Sequence, residues 1–336
     1  RKRFRPKHIH DAVYSLIGLG GKSLRPMVLL FSCGAVGGNE EEAIPAAVAI
    51  EVYHTWTLVH DDIIDRDEKR RRGLTVHEEF YRRARDELDY EEDYARHYGM
   101  SVAMLAGDVQ QGWAISLLCE LTSKHHTDPN VTLYLIHDLE SYVMNALVDG
   151  ETEDVQYSQL PVESLTEDKI VEMLKKKTGV MYEFAGRAGA MIGLNSANPT
   201  NALVRAISQF TCECGTAFQL QDDILGVLGS EDKLGKPVGS DIREGKRTTI
   251  VHYAFSQADD RQKKRLLEIL GNRHATEEEV REATEMLIEL GGVRHTREMA
   301  REIIEKRAMR HLDVVPESEY KNLLLAWAEY MIRRDF

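Results

Sequence analysis

Asp61, Asp62 and Asp65 close a mostly apolar run that extends from Ala46 to Val59. At about 100° per residue, Asp61 and Asp65 fall one turn apart on one helix face. Asp62 lies three before Asp65, so the three carboxylates can converge on one point. Like charges at that spacing repel, and a cation is expected to offset the cost. An all-oxygen donor set suits magnesium rather than zinc. A second acidic cluster, Phe218-Gln219-Leu220-Gln221-Asp222-Asp223, lies more than 150 residues further on, again inside an apolar run. Arg70, Arg71 and Arg72 follow the first cluster. Lys233, Lys236 and Lys246 follow the second, with Gly235, Gly239 and Gly245 permitting close backbone approach around Asp241. Magnesium keeps several waters and binds one or two carboxylates together with substrate phosphate oxygens. Carboxylates beside bases therefore imply a diphosphate ligand.

Three further groups of residues suit the same chemistry. In Gly20-Gly21-Lys22-Ser23-Leu24-Arg25-Pro26 the glycines allow a tight bend, and Lys22 and Arg25 sit three apart on an opening helix, where an anion would be held. Taken alone, the segment reads equally as a helix cap with two solvated bases. His54 precedes Asp61 by two turns on nearly the same face and either points into the same cavity or is a buried structural histidine. Lys175-Lys176-Lys177-Thr178 offers a basic helix face, and Thr178 beside Lys177 adds a hydroxyl for a phosphate oxygen. Glu51 and His54 also form a Glu-x-x-His pair of the kind found in di-iron bundles. That architecture needs a second copy, and the sequence contains none.

The elements that must position these residues are helices. Apolar residues recur at helical spacing nearly throughout, with no sustained strand-type alternation, and the breaks fall at Gly37-Gly38-Asn39, Thr127 to Asn130, Asn195 to Pro199 and Gly271-Asn272. Segments this long and this apolar are expected to form one multi-helix bundle, an all-α fold of a single domain over residues 1–336. The polar stretch from Arg82 to His97 reads as a solvated connection or exposed helix. Charge points the same way as the motifs. A formal net charge of -13 argues against a nucleic-acid surface, which needs a basic stripe. No apolar stretch is long enough to span a membrane, and Arg1 to Pro6 is followed by no apolar signal core. Cys33, Cys119, Cys212 and Cys214 form neither a disulfide framework nor a zinc spacing, and the expected location is the cytoplasm.

Read together and in order, the motifs resemble the trans-prenyl diphosphate synthases, the family of farnesyl and geranylgeranyl diphosphate synthases. They are Gly-Gly-Lys-x-x-Arg-Pro at 20–26, Asp-Asp-x-x-Asp at 61–65, Lys177-Thr178, Phe218-Gln219-x-x-Asp222-Asp223, and Gly235-Lys236 with Lys246. The resemblance covers most of the chain and implies a large helical bundle of the isoprenoid synthase type around a central cavity, commonly dimeric. It implies three magnesium ions, held by Asp61, Asp62 and Asp65 and by Asp222 and Asp223 against an allylic diphosphate. Arg70, Lys177, Thr178, Gln219, Lys236 and Lys246 would contact that substrate, and Lys22, Arg25, His54 and Arg71 would bind isopentenyl diphosphate.

Three departures from the family pattern matter. Arg70-Arg71-Arg72-Gly73 has one arginine more than usual. Counting from Asp65 selects Arg70 and Arg71, counting back from Gly73 selects Arg71 and Arg72, and Thr75-Val76-His77 falls in register with the first choice. Gly226 stands where many members carry a third Asp, as in archaeal-type members, and Glu151 stands where many carry Gln. Below the first cluster, Thr57 is small, whereas Tyr53 lies roughly 12 Å down the helix axis, so that Tyr53 and Trp56 either floor the product pocket and give a C20 product or pack between helices and never meet it. The alternatives are a C15 farnesyl diphosphate synthase, a terpene cyclase binding one diphosphate, and a non-catalytic partner subunit. Two anion sites and two acidic clusters favour the synthase.

Overall fold

The computed structural model describes residues 4–228 and 239–332. Among these the fold is all-α, and the sole extended pairing is a hairpin of two-residue strands. The breaks read from the sequence end helices. Gly37 and Gly271 adopt positive φ, and Asp128 caps the helix that starts at Pro129 by accepting from the Asn130 N–H at 2.8 Å. The polar stretch from Arg82 is helical, the second of the two readings, and is parted into two helices where Asp89 turns left-handed.

The chain divides into two compact units, residues 1–27 with 44–126 and residues 28–43 with 127–336. In the first, α1 (Lys7–Gly18), α3 (Ile44–Asp65) and α4 (Val76–Leu88) pack on the long α5 (Glu92–Leu118). Their buried faces contribute Ala12, Val13, Leu16, Val59, Phe80, Val102 and Ala106 to one apolar cluster. The 22 residues of α3 give it a length of about 33 Å. Most of its apolar positions up to Val59 are buried, with Ile44 and Val48 exposed, and its last turn carries the acidic cluster. Between α3 and α4 comes the hairpin, β1 (Lys69–Arg70) against β2 (Gly73–Leu74), with Arg70 opposite Gly73.

In the second unit, α10 (Val180–Gly193) packs along α11 (Ala202–Leu228), and the helix Gly292–Glu302 packs on α11 as well. Helix α2 (Leu24–Ala35) crosses the division, and its residues from Val28 onward belong here. They lie so close to α10 that a β-carbon on Gly189 would overlap the Leu29 carbonyl, and one on Gly193 would come within 2.6 Å of the Cys33 carbonyl. Helix α8 (Met144–Tyr157) runs beside the segment Lys175–Gly179, which follows α9 (Glu167–Leu174) as one turn of π-helix where a regular helix was expected. Such turns re-aim side chains by one residue and recur at functional sites. A second apolar cluster, including Ile224, Val227, Ile250, Phe255 and Leu266, closes the far end of α11.

Candidate active site

In the first unit, the carboxylates at the end of α3 are organised by Arg70. Asp62 is 1% exposed and accepts from the Arg70 Nε, while the Arg70 Nη2 lies 3.1 Å from Asp61 Oδ2 and 3.7 Å from Asp67 Oδ2. Burial works against the charge on Arg70, but Asp62 and Asp61 outweigh it and hold its pKa above the ordinary value. Asp61 and Asp65 each offer a carboxylate oxygen, and the two lie within 4.8 Å, as the one-turn spacing predicts. Asp67, which the sequence reading passed over, joins this group because the chain turns back at the helix end, where its N–H bonds the Asp62 carbonyl at 2.9 Å.

The hairpin gives the three arginines different places. Arg71 and Arg72 form its two-residue turn with φ of 53° and 65°, the left-handed pair that matches the twist of short hairpins. Arg70 therefore lies on the strand and reaches the carboxylates. Arg71 donates from Nη1 to the Gly20 carbonyl. A β-carbon on Gly21 would stand 3.0 Å from the Arg71 guanidinium carbon, so glycine there makes room for the side chain. Arg70 thus sits on the strand, and Arg71 and Arg72 sit in the turn.

His54 is half-buried on the same helix, and its pKa is pushed well below the ordinary 6.5 by desolvation first and then by Arg25, Arg71 and Arg70, with Asp61 opposing. Arg25, Arg71 and the imidazole thus form one electropositive group in the first unit, and Lys22 stands exposed just before α2. Thr57 Oγ1 donates to the His54 carbonyl at 2.8 Å. Tyr53 is fully buried, and Trp56 is 8% exposed, their rings 4.8 Å apart.

In the second unit, the side chains of α11 and of the π turn meet. Thr178 Oγ1 donates to Gln219 Oε1 at 2.8 Å, and Gln219 Nε2 donates to Asp223 Oδ1 at 3.1 Å. Lys177 Nζ lies 2.7 Å from carboxylate oxygens of both Glu151 and Asp154. Asp222 is half-buried beside the buried Asp223. The pKa of Asp223 is raised well above 3.8 by burial first and then by Asp241, with Gln219 opposing and Asp154 adding to the rise. Lys246 Nζ is 3.9 Å from Asp241 and 3.2 Å from Glu244. Lys236 lies outside the described residues, as do Gly235 and Lys233.

Asp241 accounts for Gly226. A β-carbon at 226 would come within 2.6 Å of Asp241 Oδ2, so the place beside this turn of α11 is already taken by a carboxylate from another segment. The sequence reading mentioned Asp241 only for its glycine neighbours and missed Asp154. The available signal was the spacing of Asp154 three residues after Glu151, which puts both on one face of α8.

Asp223 Oδ2 is buried and makes no hydrogen bond, while Asp241 and Asp154 act on the same group. A buried carboxylate with two others acting on it is stabilised in its charged form by a cation, and oxygen donors fit magnesium. The residues present suit that ion.

Comparison with known proteins gives concordant results. A family profile described as Polyprenyl synthetase matches residues 6–287. A geranylgeranyl diphosphate synthase of Methanosarcina mazei is 35% identical over 332 residues, covering 99% of this chain and 91% of that protein. The crystal structure of a geranylgeranyl pyrophosphate synthetase from Pyrococcus horikoshii superposes with a TM-score of 0.81 at 33% identity, covering 98% of this chain and 91% of the other. A geranylgeranyl pyrophosphate synthase from Corynebacterium glutamicum, solved with isoprenyl diphosphate and magnesium, gives 0.84 at 27% identity, covering 98% and 90%.

Proposed function

The chain belongs to the polyprenyl synthetase family, and on that premise we propose that it joins isopentenyl diphosphate to an allylic diphosphate to make the C20 product geranylgeranyl diphosphate. The observation that carries this reading is the buried Asp223 oxygen without a partner, in a group of carboxylates bordered by Lys177, Thr178 and Lys246. Carboxylates gathered this way beside bases suit a cation that bridges to phosphate.

In this reading the whole chain works as one prenyl diphosphate synthase domain. Asp61, Asp62 and Asp65 on α3, and Asp222 and Asp223 on α11, would hold three magnesium ions, which neutralise charge on the departing diphosphate. Arg70, Lys177, Thr178, Gln219, Lys236 and Lys246 orient the allylic diphosphate, and Lys177 exchanges Glu151 and Asp154 for phosphate oxygens as substrate enters. Lys22, Arg25, His54 and Arg71 hold isopentenyl diphosphate with its double bond toward the allylic carbon. His54, kept neutral by desolvation and then by its arginine neighbours, contributes a hydrogen bond and leaves the positive charge to them. The allylic C–O bond breaks, the double bond attacks the cation, and a proton is lost to the released diphosphate. The chain grows by five carbons with no side-chain nucleophile. Apolar walls keep water from the cation, and Trp56 and Tyr53 end the path.

No helix among the described residues is long and apolar enough to cross a membrane. We place the enzyme in the cytoplasm as a homodimer, to be checked by fractionation and light scattering. The activity test incubates purified protein with magnesium, labelled isopentenyl diphosphate and, separately, C5, C10 and C15 allylic diphosphates. A C20 product that is lost with EDTA, with Asp61→Ala and with Asp223→Asn is the expected result. Folded protein that extends none of the three primers refutes the reading and favours a cyclase or a partner subunit.

A further inference from the structure

Helix α3 carries a row of rings on the side that meets α5. Tyr53 and Trp56 are edge-to-face at 4.8 Å, and Trp56 and His60 are edge-to-face at 5.8 Å. At about 100° per residue, the three positions fall within an arc of roughly 60°. The centre of the Asp61 and Asp65 stripe lies some 130° further round, by the same count. His60 Nε2 lies 3.2 Å from the Met104 carbonyl, which can only accept, so the ring is tied to α5 through an Nε2–H. The position against which this row rests is Gly107. A β-carbon there would overlap His60 Nε2, approach its Cδ2 to 2.6 Å and stand 3.0 Å from Trp56 Cδ1.

Glycine inside a helix costs about 1 kcal/mol relative to alanine, so a buried one in the middle of α5 needs a reason in its packing. The same helix supplies the contrast. A β-carbon on Gly112 would meet nothing within 4 Å. Gly107 is the seat of the His60 ring and of the Trp56 edge, and Gly112 seats nothing.

We infer that Gly107 is a specificity-determining position, which fixes where the Trp56 indole stands and hence how long the product grows. The inference rests on the proposed synthase reading. Tyr53 is fully buried on one side of the indole and His60 is bonded to α5 on the other. A methyl group at 107 therefore overlaps the His60 ring and crowds the Trp56 edge, so that the indole gives way into the space off α5. In the proposed reading, that space holds the growing chain. The product should shorten by one isoprene unit. A role limited to helix packing would lower stability and total turnover without changing product length.

The test sizes the products of the wild type, Gly107→Ala, Gly112→Ala and Gly107→Ala/Trp56→Ala. Gly112→Ala should match the wild type. Gly107→Ala should lower the ratio of C20 to C15 product at least fivefold, and adding Trp56→Ala should reverse the shift. An unchanged ratio in folded Gly107→Ala, or a shift that persists without the indole, overturns the inference. Should Gly107→Ala fail to fold, Gly107→Ala/His60→Ala, which removes the overlapped ring, should recover a soluble protein, and failure of that protein also counts against the inference. A second readout is independent of synthase activity. In a Trp113→Phe/Trp327→Phe background Trp56 is the single tryptophan. Gly107→Ala should shift its emission by several nanometres, and Gly112→Ala should not. Emission that shifts in a protein making no prenyl product would refute the synthase reading and leave the seat standing. Emission that does not shift refutes the seat.

Discussion

His54 shows how the neighbours of one residue set its chemistry. Burial and then Arg25, Arg71 and Arg70 hold its pKa well below the ordinary 6.5. In the window between the folded value and 6.5 the unfolded chain binds a proton that the folded chain does not. Stability therefore rises with pH through that window and falls as pH drops below 6.5, at up to about 1.4 kcal/mol per pH unit for one proton. His54→Asn should lose this part of the dependence, so that its stability difference from the wild type changes between pH 7.5 and pH 5.5. Urea unfolding at both values measures it, and a constant difference would refute the claim. The nearness of His54 to Asp61 is legible from the sequence as two helical turns. The destination of Arg71 is not, because Gly20 lies 51 residues away and no local spacing encodes the contact. Asp154 escaped notice for another reason. In a chain this acidic, one more carboxylate on an amphipathic helix looks like a solvated face until a lysine is seen against it.

Two short elements aim the bases, and neither has a period that a sequence reading could detect. The hairpin after α3 has strands of two residues, too short to show alternation. Its turn sets Arg71 and Arg72 at positive φ, which costs a non-glycine residue roughly 1 kcal/mol or more. Arg71 is held by the Gly20 carbonyl, and a side chain at that place serves the proposed anion site. At position 72, Arg72→Gly should raise stability by about 0.5 kcal/mol, part of the relief being offset by the greater freedom of glycine when unfolded, and should leave turnover unchanged. Thermal melts and steady-state rates together check this. The π turn Lys175–Gly179 is the second such element, since Lys177 and Thr178 owe their direction to it. A β-carbon at Gly150 on α8 would come within 2.6 Å of the Lys177 backbone nitrogen and 2.8 Å of Lys176 Cβ. Gly150→Ala should therefore cost about 1–3 kcal/mol through overpacking. It should also raise KM for the allylic diphosphate at least tenfold by pushing Lys177 aside, with KM for isopentenyl diphosphate changed less. An equal rise in both constants would point to general disruption.

At the scale of the whole molecule, helical class followed from periodicity, and both acidic clusters could be placed on helices from their spacing. The division into two units could not be foreseen, because one boundary coincides with the break at Thr127 but another falls inside the continuous helix α2. Residues 28–43 belong with chain that begins at Thr127, and their backbone lies against Gly189 and Gly193 at distances that leave no room for side chains. A fragment of residues 127–336 should accordingly be insoluble by itself and become soluble when residues 1–126 are expressed beside it. Solubility of the lone fragment would show that the 28–43 segment is dispensable. The same feature has a consequence in time. At the ribosome's pace of ~5–20 residues per second, residues 28–43 emerge roughly eight to thirty seconds before Gly193 and roughly fifteen to sixty seconds before Tyr320, whose ring lies against Gly34. Throughout that interval a greasy half-helix waits with no surface of its own to cover it, and each newly made chain is open to capture by other nascent chains there.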